Sequence, residues 1–448
     1  MTTRAACWRA ASAGALLLLL ALPAAAQTRA RPDAPAPGAA LGARFDAATT
    51  AITGKVVTWR RDLHQHPELG NREFRTSKIV ADHLTALGLE VKTGIAHTGV
   101  VGILRGGKPG KVVALRADMD ALPVAEQVNL PFASKATAQW NGREVGVMHA
   151  CGHDNHVSIL MGVAEALASM KADLPGTVMF IFQPAEEGAP PGEEGGAELM
   201  LKEGIFDSPK PDAVFGLHVF PGPVGQVSYK PGALMASGDT FHIKVRGKQT
   251  HGAAPWAGVD PIVVASQIVL GLQTIVSRQV DITRAPVIVT VGRFQGGVRS
   301  NIVPDTVELE GTIRTFDEAV KKDVHARAKR TAEQIAAAAG ATAEFVIEPG
   351  YPVTVNDPGL TEQMAPTLAR VAGKDRVSII PPTTTSEDFS YFQQRVPGLF
   401  FFLGVTPPSQ DWRTAAANHS PLFEADEGAL PVGMRALGHL TLDFLTAR

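Results

Sequence analysis

Cysteine is nearly absent. Only Cys7 and Cys151 occur in 448 residues, so a disulfide-stapled framework is excluded and stability must come from an apolar core. Aromatic residues are sparse, at 6%, too few for a base-stacking platform on single-stranded nucleic acid. Neither sign of charge dominates: 42 basic and 44 acidic residues give a net charge of −2. A nucleic-acid partner would need a basic face, and no Lys/Arg cluster supplies one. Long apolar runs are missing too, apart from residues 10–22, which fall short of the roughly 20 residues of a membrane span.

That one run is an export signal by its flanks. Arg4 and Arg9 precede it, and the small residues Ala24-Ala25-Ala26 follow it as a cleavage site. Residues 1–26 are therefore expected to be removed near Ala26. The protein would then be periplasmic or secreted, without stable membrane association. Residues 27–41, rich in Pro and Ala, read as a flexible lead-in. Cys7 leaves with the signal, so Cys151 is the lone thiol of the exported chain. It is buried and inert, bound to metal, or a nucleophile, and its neighbours must decide.

Beyond the lead-in, the pattern is mixed α/β. Helical periodicity at 45–63, 76–87 and 157–170 alternates with short buried-strand runs at 100–104, 112–117, 177–182 and 213–219. This predicts a mainly parallel sheet with helices on both faces. The stretch 241–347 instead runs strand, helix, two strands, helix, strand, the ferredoxin-like split order. The expected organisation is a catalytic domain of residues 42–232 and 349–448, interrupted by an inserted α+β lid domain of residues 233–348. Two chain crossings between such domains suit a hinge over a cleft.

The densest chemistry is His149-Ala150-Cys151-Gly152-His153-Asp154-Asn155-His156. Imidazoles, a thiol and a carboxylate offer a divalent metal mixed donors, and Gly152 lets the chain bend so that Cys151 and His153 face one centre. A closed structural zinc site would need paired cysteines, so an open catalytic site fits better. Gln183-Pro184-Ala185-Glu186-Glu187-Gly188 follows an apolar strand, where one carboxylate can bind metal and the other activate water. His218 and His419 stand singly, and each taken alone is more often a satisfied polar residue than a ligand.

These segments, with Arg116-Ala117-Asp118-Met119-Asp120-Ala121-Leu122-Pro123, Thr250-His251-Gly252-Ala253-Ala254-Pro255, Ser300-Asn301-Ile302-Val303-Pro304 and Ser386-Glu387-Asp388-Phe389, carry a family resemblance. Over about residues 45–444 the chain resembles the di-metal aminoacylase/carboxypeptidase-type metallopeptidases. Within them it is similar to the amidohydrolase branch of hippurate hydrolase, N-acyl-amino-acid amidohydrolases and auxin-conjugate hydrolases. The resemblance implies two divalent metal ions per subunit, held by Cys151, His153, Glu187, His218 and His419. It also implies Glu186 as general base. His251 and Asn301 match residues that reach the substrate when the lid closes, sometimes from a partner subunit, and a homodimer through the lid is left open. Asn155 replaces a usual small residue, and Pro190-Pro191-Gly192 lengthens the loop after the glutamates.

The expected reaction is metal-assisted hydrolysis of the amide of an N-acyl amino acid or short peptide, with Asn301 and Arg299 as candidates to hold the carboxylate. Asp120 is expected to orient a ligand imidazole by hydrogen bonding; a strand-end cap is its alternative. Asp118, His149 and His156 are read as supporting groups. The mixed ligands accept zinc, manganese, cobalt or nickel. Two other readings stay open: a covalent hydrolase with Cys151 as nucleophile and His153 as base, and a non-catalytic exported metal- or solute-binding protein that would not need Glu186.

Overall fold

The structure, a computed structural model, describes residues 37–447. The expected signal sequence and most of the expected lead-in lie outside these residues. Residues 37–41 do not belong to a lead-in. They open the 29-residue helix Pro37–Gln65, with proline at the start, where its missing N–H is no loss. Leu41 and Phe45 are buried in its first turns, so apolar packing overrides the Pro/Ala composition.

Eight strands form the main sheet, in the order Glu90–Ile95, Gly99–Arg105, Pro175–Gln183, Lys108–Asp118, Ala213–Pro223, Gly398–Thr406, Val227–Tyr229 and Val377–Ile379. The central four run parallel, and antiparallel pairs flank them. Gly398–Thr406 is buried at every position, as a strand covered on both faces must be. The helices Pro37–Gln65, His153–Ala168, Pro358–Ala372 and Leu430–Thr446 pack one face. The short helices Gly196–Lys202 and Phe389–Gln393 cover the other with Met200, Phe389 and Phe392. The fold is α/β, with a mainly parallel sheet and helices on both faces.

A separate antiparallel sheet has the order Val287–Gly296, Thr306–Thr315, Asp239–Arg246, Thr342–Glu348. Its strands alternate buried and partly exposed positions, as in Asp239–Arg246, and the buried face lies against Pro261–Thr274 and Glu318–Ala338. Asp260 and Asp317 cap those helices by accepting from the first free backbone N–H groups. This is the ferredoxin-like arrangement, with its own apolar core.

The chain passes between the two sheets twice, at residues 236–239 and 349–353, and the passes are tied together. Gly238 N donates to Tyr351 O at 3.0 Å, and Gly350 N to Asp239 Oδ1 at 3.0 Å. Asp239 also meets Lys321 at 3.1 Å and His325 at 3.0 Å. A Cβ at Gly350 would fall 1.7 Å from Gly238 O, so no larger residue fits.

Candidate active site

The candidate residues gather where the parallel strands end, the place at which such sheets present functional groups. Asp118 closes one strand, Glu186 and Glu187 follow the next, and His218 lies in the third. His153 begins its helix directly after Gly152, which has φ +89°. A Cβ at Gly152 would sit 2.3 Å from Val219 Cγ2, so glycine is required both for the turn and for the approach.

Hydrogen bonds decide which ring nitrogen of each histidine is free. His153 Nδ1 donates to the carbonyl oxygen of Asp120 at 2.8 Å. The Asp120 carboxylate lies beside the same ring, with Oδ1 3.3 Å from His153 Nδ1, while its Oδ2 accepts from Glu187 N at 2.9 Å. His218 Nδ1 donates to Val219 O at 2.7 Å. In both rings Nε2 is left as the nitrogen that can turn a lone pair to a metal. His156 is fully engaged: Nε2 accepts from Val219 N at 2.8 Å, and Nδ1 meets Asp118 at 2.5 Å. It is thereby a supporting group. His149 is buried with neither ring nitrogen bonded, and burial pushes it down to about 4.

The free donors converge. Cys151 Sγ lies 3.4 Å from His218 Nε2 and 3.3 Å from His419 Nε2. His419 Nε2 is 2.9 Å from Glu187 Oε1, an oxygen with no hydrogen-bonded partner, as is the buried His153 Nε2. In two groups of three, Cys151, His153, His218 and Cys151, Glu187, His419, the donor atoms lie within 4.8 Å of one another. Donor atoms converging in this way fit divalent cations that would displace their protons, and thiolate, imidazole and carboxylate are a coherent donor set.

The charge distribution agrees. Burial alone would push His153 down, yet Asp118, Asp120 and Glu187 raise it to about 10. Negative charge that draws a proton there draws a cation equally. Burial and the nearby Glu187 and Glu186 hold the Cys151 thiol well above its ordinary value. A cysteine nucleophile needs the opposite surroundings, so nothing favours the covalent reading. Glu186 is also held well above the carboxylate range by burial, Glu387 and Glu187.

Beneath the site lies Arg116, fully buried against Asp118 at 2.5 Å, Glu387 at 2.9 Å and Asp388 at 2.8 Å, with Gln183 on its Nε. It is the central cation among these carboxylates. Arg116→Met should destabilise the protein by about 3–5 kcal/mol, because three buried carboxylates lose their partner. The midpoint of denaturant unfolding, compared at fixed metal load, measures this.

A cleft of about 440 Å³ opens over the cluster. Cys151, Glu186, Glu187, His218 and His419 line it, whereas His153 is fully buried behind them. His251, Arg299 and Asn301 do not. They sit together, exposed, at the ribbon where Thr250–His251 pairs with Ile302–Val303. The cleft contains residues for which no role was read from the sequence: Arg314, Tyr351, Met235, Phe220 and Phe402. Arg314 donates to Ser386 Oγ at 2.9 Å and has no carboxylate partner among the described residues. Its signal was an arginine at the end of an alternating strand, on the side away from the lid core.

With this geometry in view, the comparisons are direct. Residues 114–443 match the model of Peptidase family M20/M25/M40. The chain is 40% identical over 392 residues to thermostable carboxypeptidase 2 of Saccharolobus solfataricus, covering 87% of this chain and 95% of that one. It is 39% identical to N-acetylcysteine deacetylase of Bacillus subtilis, covering 88% and 98%. It is 38% identical to IAA-amino acid hydrolase ILR1-like 4 of Arabidopsis thaliana, covering 84% and 83%. The crystal structure of Bacillus subtilis YXEP protein, a dinuclear metal binding peptidase from the M20 family, superposes with a TM-score of 0.72 at 37% identity, covering 89% of this chain and 100% of that one. The site and fold define a metal-dependent hydrolase. The chain belongs to Peptidase family M20/M25/M40.

Proposed function

We propose that this protein hydrolyses the amide bond of N-acyl amino acids or short peptides, releasing a carboxylic acid and an amino acid. The observation that carries this reading is the placement of Glu186, which lines the cleft beside converging donor atoms of Cys151, His153, Glu187, His218 and His419. Those five residues would hold two divalent cations, zinc or manganese by donor type, with cobalt or nickel acceptable. When bound, such cations polarise a carbonyl and bring the pKa of water towards about 7.

The chain's own residues do the rest. Glu186 takes a proton from the attacking water, whose oxygen bonds to the amide carbon. As the C–N bond breaks, Glu186 returns that proton to the leaving nitrogen. A base that must both accept and release a proton gains from an affinity above that of an ordinary carboxylate. Arg314, which forms no ion pair among the described residues, lines the same cleft and is the side chain we assign to the substrate carboxylate. Arg314→Ala should raise KM by about 10–100-fold, the worth of one charge-assisted contact. It should also erase the preference for a free carboxylate over its amide, and an unchanged preference would remove Arg314 from this role.

The reading extends to assembly and location. Val263 and Leu270 on the lid helix are 53% and 70% exposed, and the neighbouring edge strand Val287–Gly296 exposes Phe294. Such a face suits a second copy of the chain. The signal-like residues 1–26 support export to the periplasm or medium. The test of function is an amino-acid release assay across acyl-amino acids and short peptides, with metal content measured on the same sample. Release that stops on chelation and returns with zinc or manganese is expected; no release from any of these amides would refute the reading.

A further inference from the structure

The loop that carries Glu186 adopts a backbone that its sequence does not favour. Ala185 has φ +49° although it is not glycine, a conformation that persists only where surroundings over-determine it. Three consecutive residues of this loop are each held by a side chain from elsewhere. Glu73 Oε1 accepts from Ala185 N at 2.9 Å. The Tyr351 hydroxyl donates to the carbonyl oxygen of Glu186. Asp120 Oδ2 accepts from Glu187 N at 2.9 Å.

Asp120 belongs to the site already described, but Glu73 and Tyr351 come from distant parts of the chain. Glu73 stands at the start of the helix Phe74–Ala86, is 0% exposed, and is itself held by Thr98 Oγ1 at 2.5 Å. It does not line the cleft. Close beside it, a Cβ at Gly70 would lie 3.1 Å from Gly188 O and 3.2 Å from Ala185, so this segment lies directly on the loop. Tyr351 lies in the second crossing between the two sheets, tied through its carbonyl to Gly238.

We infer that Glu73 and Tyr351 are positioning residues that hold the Glu186 carboxylate in line for proton transfer, by pinning the backbone on either side of its Cα. The inference rests on the reading of Glu186 as the base. A carboxylate on a loop free to relax from φ +49° would spend most of its time misaligned, and a displacement near 1 Å costs about 100-fold in rate. Neither residue contributes a metal-ligand atom, and what each variant removes is a contact to the backbone around Glu186, so the loss should fall on kcat; the Tyr351 ring, which lines the cleft, is kept in Tyr351→Phe.

The test uses the metal-loaded full chain in four variants: Glu186→Gln, Glu73→Ala, Glu73→Gln and Tyr351→Phe. Glu73→Ala and Tyr351→Phe should each lower kcat by about 10–100-fold, with KM changed by less than about twofold and metal content at the parent level. Glu73→Gln should recover most of the Glu73→Ala loss, since an amide oxygen still accepts from Ala185 N. Unchanged kcat in Tyr351→Phe, a rise in KM in place of the fall in kcat, or no recovery in Glu73→Gln would each overturn the inference. Tyr351→Phe removes one oxygen, so the test stands even if Glu73→Ala does not fold. An active Glu186→Gln would instead show that the reading of the base is wrong; an inactive one beside normal Glu73→Ala and Tyr351→Phe would remove the positioning role alone.

Discussion

Glu186→Gln removes turnover by about 10²–10⁴-fold, the range of a lost general base, while the protein keeps its full complement of divalent metal. The substitution is nearly isosteric and replaces an oxygen that can carry a proton by an amide that cannot. Cys151, His153, Glu187, His218 and His419 supply five converging donors without Glu186, but Glu186 also lies within reach of His153 and Glu187, so metal content is the readout that decides its role. Metal per chain and single-turnover rate, measured on one preparation, separate the two roles. Loss of metal together with loss of rate would make Glu186 a ligand, and preserved rate would require another base. A binding protein without catalysis would show no turnover in the parent either.

His251→Ala should lower kcat by about 10²–10³-fold, the cost of one donor to a developing oxyanion, with metal and stability unchanged. The structure makes this a demanding expectation. His251 is exposed on the ribbon beside Asn301, and its Nδ1 accepts from Ala253 N at 2.9 Å. Nε2 remains free to donate, but it does not face the cleft lining of its own chain. The ribbon must reach a cleft by closure or belong to the site of a second copy. Mixing separately inactive His251→Ala and Glu186→Gln chains tells these apart. In a two-fold dimer with exchanged ribbons, half of the random pairs are mixed, and each mixed pair has one intact site. About a quarter of the parent activity should return. Closure within one chain returns none, and full activity in His251→Ala alone would leave that residue a surface histidine.

Elements with strong periodicity were legible. The expected strands at 177–182 and 213–219 are the cores of Pro175–Gln183 and Ala213–Pro223, because a doubly covered strand must be apolar throughout. The lid elements emerged in correct order for the same reason, each burying one clear face. The short hairpin Thr137–Trp140 with Arg143–Gly146 was not legible; neither strand has more than four residues, and neither is fully buried. The helix that begins at Pro37 was hidden by its composition, since its first turns pack on partners nearly 400 residues away, Gly42 and Phe45 against His439.

In the site, the motifs gave His153, Glu186 and Glu187 as chemistry, whereas His218 and His419 stood alone in sequence. What joins them to Cys151 is sheet order: Ala213–Pro223 lies beside Gly398–Thr406, and the loop after that strand returns His419 N to Ala150 O at 2.9 Å. Arg314 and Tyr351 were invisible as functional groups because only the lid's docking against the parallel sheet places them in the cleft.

The tied passes at 236–239 and 349–353 have a mechanical consequence. Two neighbouring strands joined by cross-links behave as a narrow strap, which bends readily across its width and resists twisting about its length. Any rotation of the ferredoxin-like unit would be favoured about an axis across these two passes, near Gly238 and Gly350. A small bend there would be carried to the ribbon of His251 and Asn301, widening or narrowing the opening with little sideways slip. Any side chain at position 350 would wedge this strap apart, so one glycine, next to the tyrosine that reaches the Glu186 loop, fixes how closely the two passes lie.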